Sequence, residues 1–340
     1  MIIIDGSEGE GGGQVLRYAC ALSLLTGEPF TIENIRRGRE KPGLMRQHVT
    51  AIEAACVIGA AECSGLAVGS NSISFRPGRV TPGDYHFAVG TAGSTGLVLQ
   101  TILVPLMLAD APSRLVIEGG THAMAAPPFE FLERTLLPVV NRMGPAVSAR
   151  LIRHGFFPRG GGRIEVDIAP APLRPVDCID RGALRSVQAT AIVAGIPFDV
   201  ADRELKSARK VLADWPDDAF ATRQLPADHG PGNALLLEAA FENVTEIISA
   251  FGKIGVPAER LAKTAAKRMA GYLACEAFAG PYLQDQLLLP FAIARRGAFT
   301  TVKLSQHTLT AAALIDRFTG VGFRTSERSN GATVVEVTKG

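Results

Sequence analysis

Three stretches of the chain repeat one plan, in which an apolar run, a turn and a β-branched strand follow one another. The three stretches span residues 14–35, 97–118 and 285–304. A polar loop then leads in each case to a second amphipathic segment, over residues 43–59, 126–143 and 307–318, and short strands close each unit. Because such crossovers place helices on one face of a sheet, the repetition predicts an α/β fold of the α+β type.

The spacing of the units predicts an inserted domain. Gln14 and Leu97, which are equivalent points of the first two units, lie about eighty residues apart, whereas the next interval is about one hundred residues longer. That excess is too long for a loop in a compact domain. The excess segment has a β-α-β-β-α pattern of its own, with strands at 186–194, 234–243 and 246–251 and helices at 200–215 and 258–278. The predicted division is a discontinuous large domain, residues 1–182 and 278–340, and an inserted small α/β domain, residues 183–277.

Charge and cysteine content narrow the function classes. The formal net charge is only +2, which argues against a protein that coats duplex nucleic acid but permits a small basic pocket for one phosphorylated end. The five cysteines are widely spaced and form no C-x-x-C pair, so buried thiols in a reducing compartment are expected rather than a cysteine-based zinc site. The acidic N-terminus does not resemble a signal peptide, and the longest apolar run, 97–109, is too short to span a membrane. We therefore expect a cytoplasmic protein without membrane contact.

Two loops have compositions suited to binding phosphate. Residues 36–46 contain five basic residues and one acid, and guanidinium groups beside a glycine match phosphate oxygens, although a solvated loop would have the same composition. The glycine-rich run 8–14 lacks both the Rossmann spacing and the Lys-Ser/Thr pair of a P-loop. It is either a glycine hairpin or an anion site at the start of the helix that follows. In the second case Glu10 could bind the accompanying divalent metal.

The histidines differ in their surroundings. His307 stands at a predicted helix start beside Ser305 and Thr308, where a neutral imidazole is favoured and can act as a nucleophile. His48 lies on the face of the helix predicted at 43–59 and either points into a cleft or packs in the core. The remaining four are interpreted as structural, namely His86, His122, His154 and His229.

Together these motifs resemble those of the RNA 3′-terminal phosphate cyclase family. The matching segments are Asp5-Gly6, EGEGGGQVLR (8–17), RRGREKPGLMRQH (36–48), GTAGSTGLVLQT (90–101), APPFEF (126–131), RHGFFPRGGG (153–162), GPGN (230–233), GPYLQDQLLLP (280–290) and His307 within SQHTLT. They extend over almost the whole chain in one order, although each segment alone is a weak signal. The resemblance implies a large domain of repeated βαβαββ units with a smaller inserted domain, as the repeat spacing also indicates.

The resemblance further implies an ATP-dependent reaction in three steps. His307 would attack the α-phosphorus of ATP to form histidyl-AMP, AMP would pass to an RNA 3′-terminal phosphate, and the neighbouring 2′-hydroxyl would displace AMP to leave a 2′,3′-cyclic phosphate. Glu10 would bind Mg²⁺ or Mn²⁺ at the ATP phosphates. The residues implied to bind the nucleotide are Arg17, Gln100, Pro127, Tyr282, Asp285 and Gln286. Those implied to hold phosphates of ATP or of the RNA end are Arg36, Arg39, Gln47 and His48.

One loop departs from the family pattern, since His122-Ala123-Met124 stands where an Asp followed by Asn-Pro is usual. Contacts made through that loop are therefore open. Two alternative functions also remain open at this stage. One is the non-catalytic branch of the family that serves in ribosome assembly, which lacks the nucleophilic histidine. The other is an enolpyruvyl-type transferase, which repeats the same unit six times.

The sequence does not decide the physiological RNA, the preferred metal or the choice between ATP and GTP. It also leaves the oligomeric state open, including a homodimer.

Overall fold

The computed structural model describes residues 1–124 and 126–338, and its strands form four four-stranded sheets. The first unit consists of β1 (Ile2–Asp5), α1 (Gly13–Thr26), β2 (Phe30–Glu33), α2 (Arg46–Ile58), β3 (Glu62–Ser64) and β4 (Ile73–Arg76). Its strand order is β1-β2-β4-β3, with β1 parallel to β2 and β4 antiparallel to both of its neighbours. This is one complete βαβαββ unit.

The second unit has the same plan. It consists of β5 (Asp84–Ala88), α3 (Thr95–Met107), β6 (Ser113–Gly119), α4 (Phe129–Phe131), a π-helical turn (Leu132–Leu136), α5 (Leu137–Arg142), β7 (Ala146–Arg153) and β8 (Gly162–Ala169). The sheet order β5-β6-β8-β7 repeats that of the first unit. The helix predicted to begin at residue 126 begins at Phe129, because Pro127 and Pro128 favour extended backbone before them.

The third unit is interrupted after its first strand by the fourth sheet. That strand is β9 (Asp177–Cys178), and β10 (Leu184–Ala194), α6 (Asp199–Arg209), β11 (Phe220–Leu225), β12 (Gly232–Phe241), β13 (Thr245–Phe251) and α7 (Ala258–Ala274) follow it. Short 3₁₀ turns lie at Asp217–Ala219 and Ala227–His229. The strand order of the fourth sheet is β11-β10-β12-β13.

The predicted pattern of this inserted segment is wrong about one strand and two helix ends, one of which is the end of α7, predicted at residue 278 and observed at Ala274. It omits β11, an edge strand that pairs only with β10 and carries three consecutive exposed polar residues, so it lacks an apolar signature. It also extends α6 to residue 215, whereas the helix ends at Arg209. Leu212 and Trp215 are nevertheless buried, and they belong to the turn that follows. The division into a large domain, residues 1–182 and 278–340, and a small inserted domain, residues 183–277, stays a prediction.

After the fourth sheet the third unit is completed by α8 (Leu283–Ala294), β14 (Ala298–Thr301), α9 (Gln306–Thr319), β15 (Gly322–Glu327) and β16 (Thr333–Thr338). Its sheet order is β15-β16-β14-β9, with β9 parallel to β14. The predicted fold class is therefore confirmed as a mixed α/β architecture. Each unit also begins with a strand that the helix-first plan read from the sequence did not include.

The helices of the three units pack against one another and set the position of the site. α1 contacts α2, α3 and α9, and α8 contacts α9. The start of α1 lies near the start of α9, since Gln14 of α1 contacts His307 of α9, although the two helices are almost three hundred residues apart in sequence. One continuous hydrophobic core joins the units with the fourth sheet, including the stacked rings of Phe30 and Phe75. No helix among the described residues combines the length and the apolar character that a bilayer crossing requires.

Candidate active site

The glycine-rich loop before α1 packs against α9. Gly9 has φ +61°, and a Cβ at this position would lie 2.4 Å from Thr310 Oγ1, so only glycine fits without displacement. The same hydroxyl oxygen accepts a hydrogen bond from the Glu10 backbone N–H at 3.0 Å. This contact holds Glu10 beside the first turn of α9.

His307 lies in that first turn, after Ser305, whose hydroxyl caps the helix by accepting the Thr308 N–H at 3.2 Å. Its side chain is 51% exposed. Its Nδ1 lies 3.0 Å from Gln14 Oε1 in α1. The orientation of the Gln14 amide is set from its other end, because Nε2 donates to Asp285 Oδ2 at 2.7 Å.

This hydrogen bond decides the tautomer of His307. An amide oxygen can only accept, so the proton of the neutral imidazole resides on Nδ1 and the lone pair on Nε2. Nε2 lies 4.0 Å from Glu10 Oε1. The pKa of His307 is lowered by partial burial and then by the positive charges of Arg17 and Arg39. The arrangement leaves an uncharged, oriented ring nitrogen with the chemistry that a nucleophile requires.

Asp285 is linked to His307 through the side-chain amide of Gln14. Burial raises the pKa of its carboxyl group to about 7, against the opposing effect of Arg17. Tyr18 donates its hydroxyl hydrogen to the backbone carbonyl of Asp285, which ties α8 to α1. Sequence reasoning assigned Asp285 to the nucleotide pocket, and the structure places its carboxylate against Gln14.

Two glutamines of this assembly were not assigned roles from the sequence. Gln14 belongs to the EGEGGGQVLR segment and Gln284 to the GPYLQDQLLLP segment. Gln284 Oε1 accepts hydrogen bonds from the Ser305 N–H and the Thr308 hydroxyl, at 3.0 and 2.7 Å. The one sequence signal that could have identified them is a polar residue at the start of an otherwise apolar helix.

The basic loop contributes two arginines with different partners. Arg39 reaches Glu10, donating to its backbone carbonyl at 3.1 Å and forming an ion pair with its carboxylate. Arg36 donates from Nη1 to the carbonyls of Lys41 and Gly43, at 2.7 and 2.8 Å, and so braces its own loop. The structure therefore brings Arg39 to the predicted metal-binding carboxylate.

His48 is buried at the first turn of α2. Its Nδ1 accepts the Met45 backbone N–H at 3.0 Å, so the proton of the neutral ring resides on Nε2. Burial, followed by the charges of Arg17 and Arg36, lowers its pKa to about 3. A Cβ added at Gly13 would lie 2.4 Å from His48 Nε2. His48 therefore reaches the start of α1 as an uncharged hydrogen-bond donor.

Four of the six residues predicted to bind the nucleotide line two cavities, which share Gln100 and Gln286. Arg17 lines the first cavity and Pro127 lines the second. Tyr282 is close by, since its backbone carbonyl accepts the Gln286 side-chain amide at 2.8 Å. Gln47 belongs to the first turn of α2, and its side chain reaches the start of α3, where its Oε1 accepts the Ser94 N–H at 3.4 Å.

The loop that departs from the family pattern turns its first side chain inward. His122 is buried, and its Nε2 lies 2.9 Å from Glu130 Oε2. Sequence reasoning did not single out Glu130.

The sequence comparisons agree with one another. The family model for RNA 3′-terminal phosphate cyclase matches residues 8–325 of this chain. A Koribacter versatilis protein named RNA 3′-terminal phosphate cyclase is 50% identical over 342 residues, covering 100% of this chain and 96% of that protein. Proteins of the same name from Ectopseudomonas mendocina and Ralstonia nicotianae are each 47% identical, covering 100% and 99% of this chain. The alignments extend over 98% and 96% of those two relatives.

Proposed function

This chain belongs to the RNA 3′-terminal phosphate cyclase family, and we propose that it uses ATP to convert an RNA 3′-terminal phosphate into a 2′,3′-cyclic phosphate. One observation carries the chemical part of the proposal. Gln14 Oε1 accepts the Nδ1 proton of His307 at 3.0 Å, which leaves the Nε2 lone pair for attack. The three steps that follow are those the family resemblance implies.

In the first step His307 Nε2 attacks the α-phosphorus of ATP. The bond between that phosphorus and the bridging oxygen breaks, and pyrophosphate leaves with the bond electrons. The product is a phosphoramidate, histidyl-AMP. The lowered pKa of His307 favours this step, because a neutral ring retains the attacking lone pair at neutral pH.

The surroundings of Glu10 fit a divalent metal bound together with ATP. Mg²⁺ is commonly held by one or two carboxylates with the substrate phosphates supplying further oxygens. Glu10 offers one such carboxylate, 4.0 Å from His307 Nε2 and next to the start of α1. When bound, Mg²⁺ or Mn²⁺ would neutralise phosphate charge at this point. If Glu10 bound a metal in place of Arg39, the arginine would be free to contact phosphate.

In the second and third steps the attacking groups belong to the RNA end. A phosphate oxygen of the RNA 3′-end attacks the phosphorus of histidyl-AMP and displaces His307. The 2′-hydroxyl then attacks the 3′-phosphorus, loses its proton, and displaces AMP. Adenylation supplies the leaving group that a phosphate monoester lacks. Arg36, Arg39, Gln47 and His48 are the proposed phosphate ligands, with His48 acting as a neutral donor.

The substrates, partners and location follow from the same proposal. ATP and an RNA with a 3′-terminal phosphate are the substrates, and Arg17, Gln100, Pro127, Tyr282, Asp285 and Gln286 form the proposed nucleotide pocket. We propose a cytoplasmic location and keep a homodimer as a hypothesis. Both alternative functions lose support. The non-catalytic branch lacks the nucleophilic histidine, and among the described residues only three βαβαββ units occur where an enolpyruvyl-type transferase has six.

Incubation with α-labelled ATP and Mg²⁺ or Mn²⁺ tests the proposal. We expect protein-bound AMP that is labile in acid and stable in alkali, as a phosphoramidate is. Addition of an RNA with a 3′-phosphate should release the label and produce a cyclic end. A protein that takes up no label under either metal would refute the enzymatic proposal.

A further inference from the structure

A cluster of two histidines and one glutamate lies outside the proposed catalytic residues. His122 comes from the loop after β6, Glu130 from the first turn of α4, and His154 from the residue after β7. Their exposed fractions are 1%, 5% and 6%. Three side chains with metal-ligand chemistry are thus brought together by three separate segments of the second unit.

The ligand atoms of the three side chains lie close enough to share one ion. One atom from each of the three lies within 4.8 Å of the other two. His122 Nε2 and Glu130 Oε2 are 2.9 Å apart, and the rings of His122 and His154 stack with centroids 5.0 Å apart. Thr121 Oγ1 contacts His122 Nδ1 at 2.9 Å and so occupies the nitrogen that points away from Glu130.

A second observation points to a missing ligand. The Nε2 atom of His154 is buried and has no hydrogen-bond partner among the residues the structure describes. An unpartnered polar atom at such depth is costly, and in native proteins it usually indicates a bound water or ion. His229 also stacks with His154, with ring centroids 5.9 Å apart, and its Nδ1 is likewise buried without a partner in the described chain.

We propose that His122, Glu130 and His154 bind one zinc ion. Two imidazole nitrogens with one carboxylate oxygen form a known ligand set for Zn²⁺, with bonds of ~2.0–2.1 Å and a fourth position left for another ligand. Tetrahedral bonds of that length separate the ligand atoms by about 3.3 Å. The His122–Glu130 pair is already near that separation, and His154 has to approach by at most about 1.5 Å, which rotation about its side-chain bonds supplies.

The zinc ion would have a structural role, because it would hold separate segments of the second unit together. Glu130 follows Pro127 and Pro128, whose loop lines the proposed nucleotide pocket, and His154 ends the strand β7. The ring of Phe251, the last residue of β13 in the fourth sheet, lies against His122 at 6.5 Å. One ion would therefore fix the nucleotide loop to the sheet of the second unit, next to the inserted segment. The departure from the family pattern at His122 supplies one of the ligands.

Metal analysis of the intact protein tests this directly. The untagged chain is expressed in zinc-supplemented medium, desalted, and measured by inductively coupled plasma mass spectrometry. We expect about one zinc per chain in the wild type and less than about a tenth of that in His122→Ala and Glu130→Gln, since each removes a required ligand. His307→Ala and Glu10→Ala serve as controls for zinc held at the proposed catalytic site. Both controls should retain the full zinc content.

A spectroscopic measurement keeps the test independent of variant folding. Wild-type protein prepared with Co²⁺ in place of zinc should show the visible absorption bands of a tetrahedral ion, and added zinc should remove them. Circular dichroism confirms that each variant is folded before its metal content is compared. Wild-type protein without bound metal, or zinc lost equally from the His307→Ala and Glu10→Ala controls, would overturn the assignment. Neither result bears on the labelling experiment, so this site and the cyclase proposal can fail separately.

Discussion

Two histidines of this protein are each linked to an acidic side chain, and the links differ in kind. His307 reaches Asp285 through the amide of Gln14, whereas His122 touches Glu130 directly at 2.9 Å. The first ring is half exposed at a helix start, and the second is enclosed. The intervening amide of Gln14 orients the His307 ring without direct contact between the ring and the Asp285 carboxylate. Direct contact with a carboxylate is instead an arrangement typical of metal-binding imidazoles.

This difference explains why only one of the two fits nucleophilic chemistry. A nucleophile needs an uncharged ring with a lone pair that no hydrogen bond occupies. His307 is half exposed, and its Nε2 lies 4.0 Å from Glu10 Oε1, beyond hydrogen-bond distance. His122 uses both ring nitrogens on protein partners, Thr121 and Glu130. The following predictions test that contrast, from the largest expected effect to the smallest.

Removal of the nucleophile should have the largest effect. We expect His307→Ala to lower both self-labelling by ATP and RNA cyclisation by at least about a thousandfold, because no other group replaces the attacking nitrogen. His86→Ala is the matched control, since this histidine also contacts a carboxylate, Glu118, but is 59% exposed on the surface. Cyclase activity retained by His307→Ala would remove this residue as the nucleophile.

Glu10 should act through the metal. Glu10→Ala should slow self-labelling by roughly a hundredfold and flatten its dependence on metal concentration, because its carboxylate can hold ATP phosphates only through a cation. Glu8→Ala alters an exposed carboxylate in the same loop and should leave both properties unchanged. Metal titrations of the labelling rate in the two variants make the comparison. Identical titration curves would show that Glu10 only holds Arg39 in place.

Loss of Arg39 should mainly slow the step in which AMP passes to RNA. We expect Arg39→Ala to slow AMP transfer to an RNA 3′-phosphate by roughly ten- to a hundredfold, the effect of one lost charged hydrogen bond in the transition state. Arg37→Ala, an exposed neighbour in the same loop, is the control. Single-turnover transfer from purified histidyl-AMP isolates the step. Transfer at the wild-type rate would mean that the basic loop is only a solvated surface.

Removal of the Gln14 amide, which lies between His307 and Asp285, should have a smaller effect. Gln14→Leu removes the acceptor for the Nδ1 proton, and we expect self-labelling to slow by about tenfold while ATP affinity changes little. Gln224→Leu makes the same replacement at an exposed position of β11. The rate constant and the half-saturating ATP concentration are measured separately. A loss confined to ATP affinity would count against a role of Gln14 in orienting the ring.

The smallest expected effect is a shift of the pH profile. Because the pKa of His307 is lowered, its neutral form should persist to below pH ~6.5, the ordinary value, and self-labelling should decline only under more acidic conditions. Arg39 is one of the charges that lower this pKa, so Arg39→Ala should move the acid midpoint to higher pH. Labelling rates at saturating ATP from pH 5 to 8 measure the midpoint. If the labelling rates of the wild type and of Arg39→Ala had the same acid midpoint, the titrating group would not be His307.

The fold was accessible from the sequence wherever apolar periodicity was strong. The repeated units and the helices α1, α2, α8 and α9 are all visible as amphipathic or apolar runs. β11 was missed because an edge strand with an exposed polar face has no such signature. The two-residue strand β9 is too short to stand out, and its pairing with β14 spans the inserted segment.

The site was accessible only in part. Glycine spacing and basic composition identified the loops of Glu10 and Arg39, and local sequence identified a histidine at a helix start. The contact between Gln14 and His307 joins residues separated by 293 positions, so no local pattern encodes it. The same limit hid the group formed by His122, Glu130 and His154, each of which has a plausible structural role by itself. Three-dimensional proximity of side chains depends on the packing of α1 against α9, and of the loops of the second unit on its sheet.

The bond that AMP forms with the protein tests the central claim most directly. Adenylated protein is digested under alkaline conditions, the labelled peptide is sequenced, and the position of the phosphoramidate on the ring is read by ³¹P and ¹⁵N nuclear magnetic resonance. The hydrogen bond from Nδ1 to Gln14 predicts AMP attached to Nε2 of His307. AMP on Nδ1 of His307, or on any other residue, would contradict the account.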